Sequence, residues 1–396
     1  MTHLFLFVGV VFVAAMVSIQ YRHLERTVGF GGEFSAKNDH SCELLVTNDG
    51  PFSSEDFAEY HNGLYFVTAG DLGALFGEIK HRAPKKGKIW IVDATTTSSD
   101  KLEKRLKEVT INGLPPNMDF HPHGIYFSHN SQILYVLSHG KKGGEQIFTF
   151  SPIKTAKKGV ESVILKFERA LSTPEYQGLN GVFNDVVEGT RHGEYYMTQW
   201  LPGPGLPENG HPETFEEHVT HATVMAQMVF LKRTHVHRCT FDPKKKVGNE
   251  DVKCEIVASD FSLVNGITTN DARDTYWVAD GRNVYELHRE KNGQLTRVDH
   301  FVMPHMGDNI EWDRETGDLY VGAIPNALKA FQRMGKGLPN EGSLHVIHRE
   351  NGKMTHSEDV VYHKGNQLGS ISAGFIHNNK VFLGSPFHNG VLVCDV

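Results

Sequence analysis

The sequence predicts an all-β protein folded as a six-bladed β-propeller, and three observations support that prediction. From about Cys42 onward, a small residue is repeatedly followed by an alternating apolar run and then by polar turn residues. Alternation with a period of two residues is typical of half-buried strands. About six strand-turn-strand units of this kind suit the blades of a propeller. Asn and Asp also recur inside the apolar runs, although strands disfavour both residue types.

The predicted strands are spread along the whole chain after its first 41 residues. The clearest runs are residues 63–68, 124–127, 133–137, 193–197, 275–279, 318–322 and 380–384. Their irregular spacing indicates connecting loops of different lengths. A β-sandwich is the competing architecture, but only a propeller brings inner strands from distant parts of the sequence together around one channel.

The N-terminal segment has a different character. Residues 4–19 are apolar apart from Ser18, and this run is slightly short for a membrane span of about 20 residues. No clear A-x-A cleavage site follows it. We therefore expect residues 1–27 to form a retained signal-anchor helix that attaches the protein to a membrane, residues 28–41 to be a linker, and residues 42–396 to be the propeller.

The charges and the cysteines predict different compartments for the main body of the protein, residues 42–396. Arg22 and Arg26 follow the apolar run, and the positive-inside rule alone would place the body in the cytosol. Four cysteines favour an oxidising compartment instead, because one pair could join the two ends of the folded region. We give the cysteines more weight and predict a body in the lumen of the endoplasmic reticulum or on the extracellular face. Cys239 and Cys254 either bridge across a hairpin or stay free.

The overall charge excludes one class of partner. The formal net charge is −7, and the acidic residues are dispersed without an acidic tail. A protein that binds nucleic acid normally carries a basic patch or stripe. We therefore expect no nucleic-acid partner.

Residues 201–230 interrupt the strand pattern. The Pro/Gly-rich run 201–207 is followed by Thr214 and Glu217 with the spacing of a capping box. Beyond them, apolar positions at helical spacing are Phe215, Val219, Ala222, Ala226 and Val229. This pattern predicts a short amphipathic helix. It could cover the channel mouth, rest on a membrane, or pack on a blade as an ordinary helix.

Three apolar runs carry the unexpected polar residues, at positions 182–186, 263–267 and 307–310. In a propeller, Asn184, Asn265 and Asn309 would converge on the central channel. Oxygen-bearing side chains that converge from separate strands suit a hard cation such as Ca²⁺. The alternative is three polar turns with similar sequences.

Two histidines could form a catalytic pair. His123 stands immediately before one predicted strand, and His139 stands just after the next. If these strands form a hairpin, the imidazoles lie at the same end and can act as a base and its orienting partner. Structural histidines are the alternative. No G-x-S-x-G motif is present, which disfavours a covalent serine mechanism.

Taken together, several short phrases resemble the paraoxonases, a family of calcium-dependent lactonases and arylesterases built on a six-bladed propeller. The matching phrases are residues 54–56, 122–125, 184–185, 265–267, 308–310, 315–319, 325–326, 369–370 and 387–388. The resemblance extends from Cys42 to Cys394. It rests on the number and order of the phrases, since no single one is specific.

The resemblance implies two calcium ions in the central tunnel. The ligands it implies for the catalytic ion are Glu55, Asn184, Asn265, Asp308 and Asn309. Those for the structural ion are Asp56, Asp185 and the backbone carbonyl of Ile125. His123 and His139 match the family's histidine dyad, and Cys42 and Cys394 match the disulfide that closes its propeller.

The resemblance also implies a function: hydrolysis of lactones or aryl esters, with Ca²⁺ polarising the carbonyl and the histidine pair activating water. The chain departs from the family pattern at residues 69–72, 198–200 and 323–324, so we expect altered substrate walls. The alternative is a non-catalytic, membrane-anchored protein that assists the assembly of other membrane proteins in the secretory pathway.

Overall fold

The computed structural model describes most of the chain from Ser41 to Val396. The described residues are 25, 27, 29, 37–38, 41–47, 52–61, 63–75, 83–140, 144–173, 176, 182–203, 214–245, 252–327, 329–330 and 340–396. Most of the predicted signal-anchor (1–27) and of the predicted linker (28–41) lies outside these residues. Within them, no helix combines the length and apolar character needed to cross a membrane.

Six antiparallel blades form the predicted β-propeller, so the fold class is confirmed. Strand β1 (Cys42–Leu45) belongs to the last blade. The first blade consists of β2 (Phe57–His61), β3 (Leu64–Ala69), β4 (Lys88–Asp93) and β5 (Leu106–Glu108). The second consists of β7 (Pro122–Ser128), β8 (Ile133–Gly140), β9 (Gly144–Lys154) and β10 (Val163–Leu171), and β6 (Ile111–Asn112) pairs parallel to β10. The third consists of β11 (Phe183–Glu188), β12 (Glu194–Gln199), β13 (Thr234–Thr240) and β14 (Lys253–Phe261).

The other three blades follow the same meander from the inner to the outer strand. They are β15 (Val264–Thr269), β16 (Thr275–Asp280), β17 (Asn283–Arg289) and β18 (Leu295–Val302); β19 (Met306–Trp312), β20 (Leu319–Ile324), β21 (Gly342–Glu350) and β22 (Lys353–His363); and β23 (Ala373–His377), β24 (Lys380–Gly384), β25 (Val391–Asp395) and β1. The helices described are α1 (Leu72–Leu75), α2 (Leu102–Arg105) and α3 (Phe215–Leu231), with a 3-10 turn at Gly159–Glu161.

Burial decreases from the axis of the propeller to its rim. In the second strands of the blades, such as β12, β16 and β20, nearly every residue is buried. Each of these strands packs between two neighbouring blades, which buries both of its faces. The outer strands β14 and β18 are largely exposed. The alternating runs therefore identified the strands correctly but suggested too much exposure for the second strand of a blade.

Two disulfides fasten the fold. Strand β1 pairs with β25 so that Cys42 lies opposite Cys394, and these residues form a bridge across 352 positions of sequence. The predicted terminal disulfide is thus confirmed. Cys239 and Cys254 are opposite each other in β13 and β14 and are also bridged. Two disulfides indicate a protein that folds in an oxidising, secretory environment.

The predicted insertion contains helix α3, while residues 204–213 lie outside the described residues. Phe215 is 85% exposed and Val219 is 47% exposed. Ala222 is exposed as well. The side chains of Ala226 and Val229 are not among those described. The helix contacts the core around the third blade through Val224, so its predicted apolar face points to solvent where it is described.

Candidate active site

Four inner strands carry the same irregularity near their beginnings. In β7, β11, β15 and β19, two residues lie opposite a single residue of the next strand, which is the arrangement of a β-bulge. The bulged pairs are His123-Gly124, Asn184-Asp185, Asn265-Gly266 and Asp308-Asn309. The bulges explain why polar residues interrupt the apolar runs, because a bulged residue is released from the regular ladder and can be directed into the tunnel.

Glycine is required where one bulge meets the next. A Cβ atom on Gly124 would lie 2.6 Å from the Asp185 Cα atom, and one on Gly266 would lie 2.5 Å from the Asn309 Cα atom. Both distances are too short for any side chain. The backbones of neighbouring inner strands therefore approach each other closely, which holds the polar residues of successive blades in one compact ring.

Hydrogen bonds tie the remaining blades together around the tunnel. Asp56 accepts a hydrogen bond from the Ile125 N–H at 2.9 Å, and Asp185 accepts one from the Ile267 N–H at 2.8 Å. The Ser372 hydroxyl donates to the Glu55 carbonyl at 2.7 Å, which joins the last blade to the first. Asp56, Asp185 and Glu55 are thus held in place by hydrogen bonds to residues of adjacent blades.

One cluster of buried oxygens lies in this ring. The side-chain amide of Asn309 donates to Glu55 Oε1 at 2.5 Å. Among the predicted ligands of the first ion, four other buried oxygens accept no hydrogen bond from the described residues: Glu55 Oε2, Asn184 Oδ1, Asn265 Oδ1 and Asn309 Oδ1. Buried polar atoms are normally satisfied. A set of orphaned carboxylate and amide oxygens fits a hard, oxygen-preferring cation such as Ca²⁺.

The electrostatics of this cluster also favour a cation. Burial, and then repulsion from Asp56 and Asp308, raises the pKa of Glu55 well above its ordinary value. Burial, followed by repulsion from Asp56, raises the pKa of Asp308 to about 7. Carboxyl groups crowded in this way resist ionisation unless a positive charge compensates them.

A second cluster of acids lies beside the first. Burial raises the pKa of Asp56 to about 7, and burial followed by the charge of Asp56 raises that of Asp185. Glu311, on β19, is a third acid here, and burial followed by the charge of Asp56 raises its pKa well above the usual value. Ile125 is next to these acids, because its N–H group donates a hydrogen bond to Asp56. The ligand role expected for its carbonyl stays a prediction.

The two histidines are brought together by pairing of β7 with β8. His123 Nδ1 lies 3.0 Å from His139 Nε2, and His139 Nδ1 lies 2.7 Å from Glu145 Oε2. Glu145 Oε1 in turn accepts a hydrogen bond from the Val182 N–H at 2.9 Å. On the opposite side, His123 Nε2 lies 3.4 Å from Glu55 Oε1. A continuous chain of buried groups therefore runs from Glu145 to the orphaned oxygens.

This chain determines the tautomers. A carboxylate only accepts hydrogen bonds, so His139 carries its proton on Nδ1 and presents Nε2 as an acceptor. His123 then donates from Nδ1 to His139, and its Nε2 faces the carboxyl group of Glu55. Burial lowers the pKa of His123 well below its ordinary value. His123 is therefore neutral at physiological pH and can accept a proton at Nε2.

Two acids of this site were missed in the sequence. Glu145 follows two glycines and lies directly across the β8–β9 ladder from His139. Glu311 is two residues after Asn309, so both side chains leave β19 on the same side. The spacing of Glu311 from Asn309 is a signal that could have identified Glu311, whereas Glu145 carries no local signal of this kind. The predicted residues His123, Ile125, Asn184, Asp185, Asn265, Asp308 and Asn309 lie on inner strands, Glu55 and Asp56 directly precede β2, and His139 lies near the end of β8.

Comparison with known proteins agrees with this arrangement. Residues 247–396 match the arylesterase family model. The chain is 24% identical to serum paraoxonase/lactonase 3 of Oryctolagus cuniculus over 377 residues, covering 92% of this chain and 93% of the relative. It is 25% identical to serum paraoxonase/arylesterase 2 of Gallus gallus over 404 residues, covering 98% of this chain and 100% of the relative.

Solved structures are more distant. A periplasmic gluconolactonase of Pseudomonas aeruginosa aligns with a TM-score of 0.46 at 9% identity, over 87% of this chain and 88% of that one. The two sequence matches cover 92% and 98% of this chain at 24% and 25% identity. They confirm the resemblance found in the sequence: the chain is similar over most of its length to the serum paraoxonases and arylesterases, and residues 247–396 match the arylesterase family model.

Proposed function

We propose that the protein is a calcium-dependent hydrolase of lactones or aryl esters. The observation that carries the proposal is the position of His123 Nε2, a buried nitrogen 3.4 Å from Glu55 Oε1 that faces a cluster of orphaned oxygens. The names of the relatives describe lactonases and arylesterases, and the geometry of the site suits ester hydrolysis.

The residues that would hold a calcium ion near His123 are Glu55, Asn184, Asn265, Asp308 and Asn309. Asp56, Asp185 and Glu311 would hold a second ion, with Glu311 added to the set expected from the sequence. When bound, such an ion supplies positive charge that polarises a carbonyl oxygen and stabilises the oxyanion formed from it.

The histidines would move the proton. A water molecule placed beside His123 Nε2 loses a proton to that nitrogen as its oxygen attacks the ester carbonyl. The resulting imidazolium keeps its Nδ1–H bond to His139, and the carboxylate of Glu145 stabilises the positive charge through His139. Glu145 is therefore a positioning residue that sets both tautomers. The proton then returns to the leaving alkoxide or phenoxide.

The test is turnover of a panel of lactones and aryl esters by calcium-loaded, full-length protein. We expect hydrolysis of at least one panel member and a loss of about 100-fold or more in His123→Gln. His288→Asn is the matched control, because His288 is a half-exposed histidine of β17. Folded, calcium-loaded protein that is inert on the whole panel would overturn the proposal and favour a role in assembling membrane proteins.

A further inference from the structure

A second group of metal-binding side chains lies at the outer part of the fifth blade, away from the tunnel. His305 ends the crossover that enters β19, His345 is on β21, and Asp359 is on the outermost strand β22. The proposed hydrolysis uses none of them. Their sequence positions are far apart, so the fold alone brings them together.

The geometry of this group matches a metal site. His345 and Asp359 are direct partners in the β21–β22 ladder, beside an irregularity between Leu344 and His345. His345 Nε2 lies 2.9 Å from Asp359 Oδ1, and His305 Nε2 lies 3.4 Å from Asp359 Oδ2. One ligand atom from each residue lies within 4.8 Å of the others. Ligand atoms at about 2.0–2.2 Å from a tetrahedral zinc ion are separated by similar distances.

The contact between His345 and Asp359 is short, but it lacks the geometry of a well-directed hydrogen bond. Within the described residues, neither ring nitrogen of His345 makes a hydrogen bond of acceptable geometry. Asp359 Oδ1 accepts none either. The two atoms are close but poorly directed toward each other. A cation lying beside both atoms would satisfy the nitrogen lone pair and the carboxylate oxygen at once.

Burial adds a second argument. His305 and His345 are each 1% exposed, whereas the side chain of Asp359 is 25% exposed. The two imidazoles are therefore shielded from water, and the carboxylate is the part of the group that reaches solvent. Three protein ligands and one open side are the arrangement in which a bound water completes the coordination of a metal.

The ligand types decide the class of metal. Ca²⁺ prefers six to eight oxygen ligands, whereas two imidazoles and a carboxylate suit Zn²⁺ and neighbouring transition metals. We propose that His305, His345 and Asp359 bind one divalent transition-metal ion of the Zn²⁺ class.

The position of this site gives it a structural role. The ion would fasten the crossover before β19, which carries Asp308 and Asn309, to strand β22. Strand β22 also contacts Lys37, because Lys37 pairs with Tyr362 and the Lys37 ammonium donates to the Asp359 carbonyl. Metal binding would therefore fix Lys37, the outer strand and the start of a site-bearing strand as one unit.

Metal analysis of the full-length protein, without a polyhistidine tag, tests the proposal. Transition metals are removed by a chelator that leaves excess Ca²⁺ in place, so that Ca²⁺ competes for the oxygen-rich tunnel. Zn²⁺ is then added, and bound metal is measured after equilibrium dialysis. We expect one Zn²⁺ per chain. His345→Asn and Asp359→Asn should each weaken binding by more than about 100-fold, and His288→Asn should leave it unchanged.

Absence of bound Zn²⁺ in the wild-type protein, or equal binding by the wild type and both variants, would overturn the proposal. If the two strand variants fail to fold, His305→Gln in the crossover replaces them. X-ray absorption at the zinc edge of the wild-type protein gives a measurement that needs no variant. A shell with two imidazoles and oxygen ligands supports the site, and any other number of imidazoles contradicts it.

Discussion

Removal of calcium should make the stability of the protein fall as the pH rises. Asp56 and Asp308 have ordinary pKa values of 3.8 and folded-state values raised to about 7, chiefly by burial. Between these values the folded protein holds protons that the unfolded chain has lost. Stability from each group is therefore complete below about pH 4 and decreases until about pH 7.

The size of this loss of stability follows from the pH range between the ordinary pKa and the raised pKa of each group. Between pH 5 and pH 7, one such carboxyl group lowers the free energy of unfolding by about 1.4 kcal/mol per pH unit, or about 3 kcal/mol in total. Because the acids of the tunnel influence one another, this single-group figure is the expected order of magnitude rather than a sum over the cluster. Bound calcium would compensate the ionised carboxylates and remove most of the dependence.

Chemical denaturation of calcium-free protein at about pH 5 and about pH 8 measures this difference. We expect the calcium-free protein to be less stable at the higher pH by about 3 kcal/mol, and added Ca²⁺ to restore stability there. Calcium-free protein that is equally stable at both pH values, with no effect of Ca²⁺ at the higher one, would refute both the electrostatic argument and the metal assignment.

Three substitutions examine the histidine relay, the closure of the ring and the bulges. Glu145→Gln should lower kcat by about 100-fold with little change in KM, and should move the acidic limb of the rate profile to lower pH, because the imidazolium loses its anionic partner. Replacing Cys42 and Cys394 by Ser should lower the free energy of unfolding by about 2–5 kcal/mol in denaturant titrations. Gly266→Ala should destabilise the protein by about 1–3 kcal/mol in thermal melts, since its Cβ would clash with a neighbouring backbone.

Matched variants separate these effects from general damage. Glu168→Gln, on β10, removes a partly exposed carboxylate that is outside the relay and should leave kcat unchanged. Replacing Cys239 and Cys254 opens a loop of only 15 positions and should cost less stability than opening the terminal bridge. Gly203→Ala has no described atom within 4 Å of the new Cβ. Equal effects in any test variant and its control would contradict the corresponding explanation.

The sequence was informative where a local pattern meets the axis of the propeller. Asn184, Asn265 and Asn309 stand out because each is a polar residue within an apolar run, and the repeated architecture predicts that they converge. Glu145 and His345 were not predictable in this way. Their roles depend on which residue lies across a ladder, and that register is set by bulges and loop lengths that a single sequence does not reveal.

The predicted helix shows the same limit. Periodicity correctly located α3, but Val224 rather than the apolar face of Phe215 and Val219 contacts the core. Periodicity gives the faces of a helix, whereas the direction of packing depends on the surface beneath it.

In each bulged inner strand, one set of residues pairs with the next strand and another set, at the bulge, lies outside that pairing. Residues after the bulge, such as Ile125 and Ile267, are buried and form the rungs that hold the blade in register. The two bulged residues lie outside that ladder. The polar side chain at a bulge can therefore be exchanged without shifting the pairing of any strand, whereas Gly124 and Gly266 are fixed by the backbone beside them, so the propeller acts as a constant frame around one axis. Such a frame lets the chemistry at the axis change while the architecture around it stays the same.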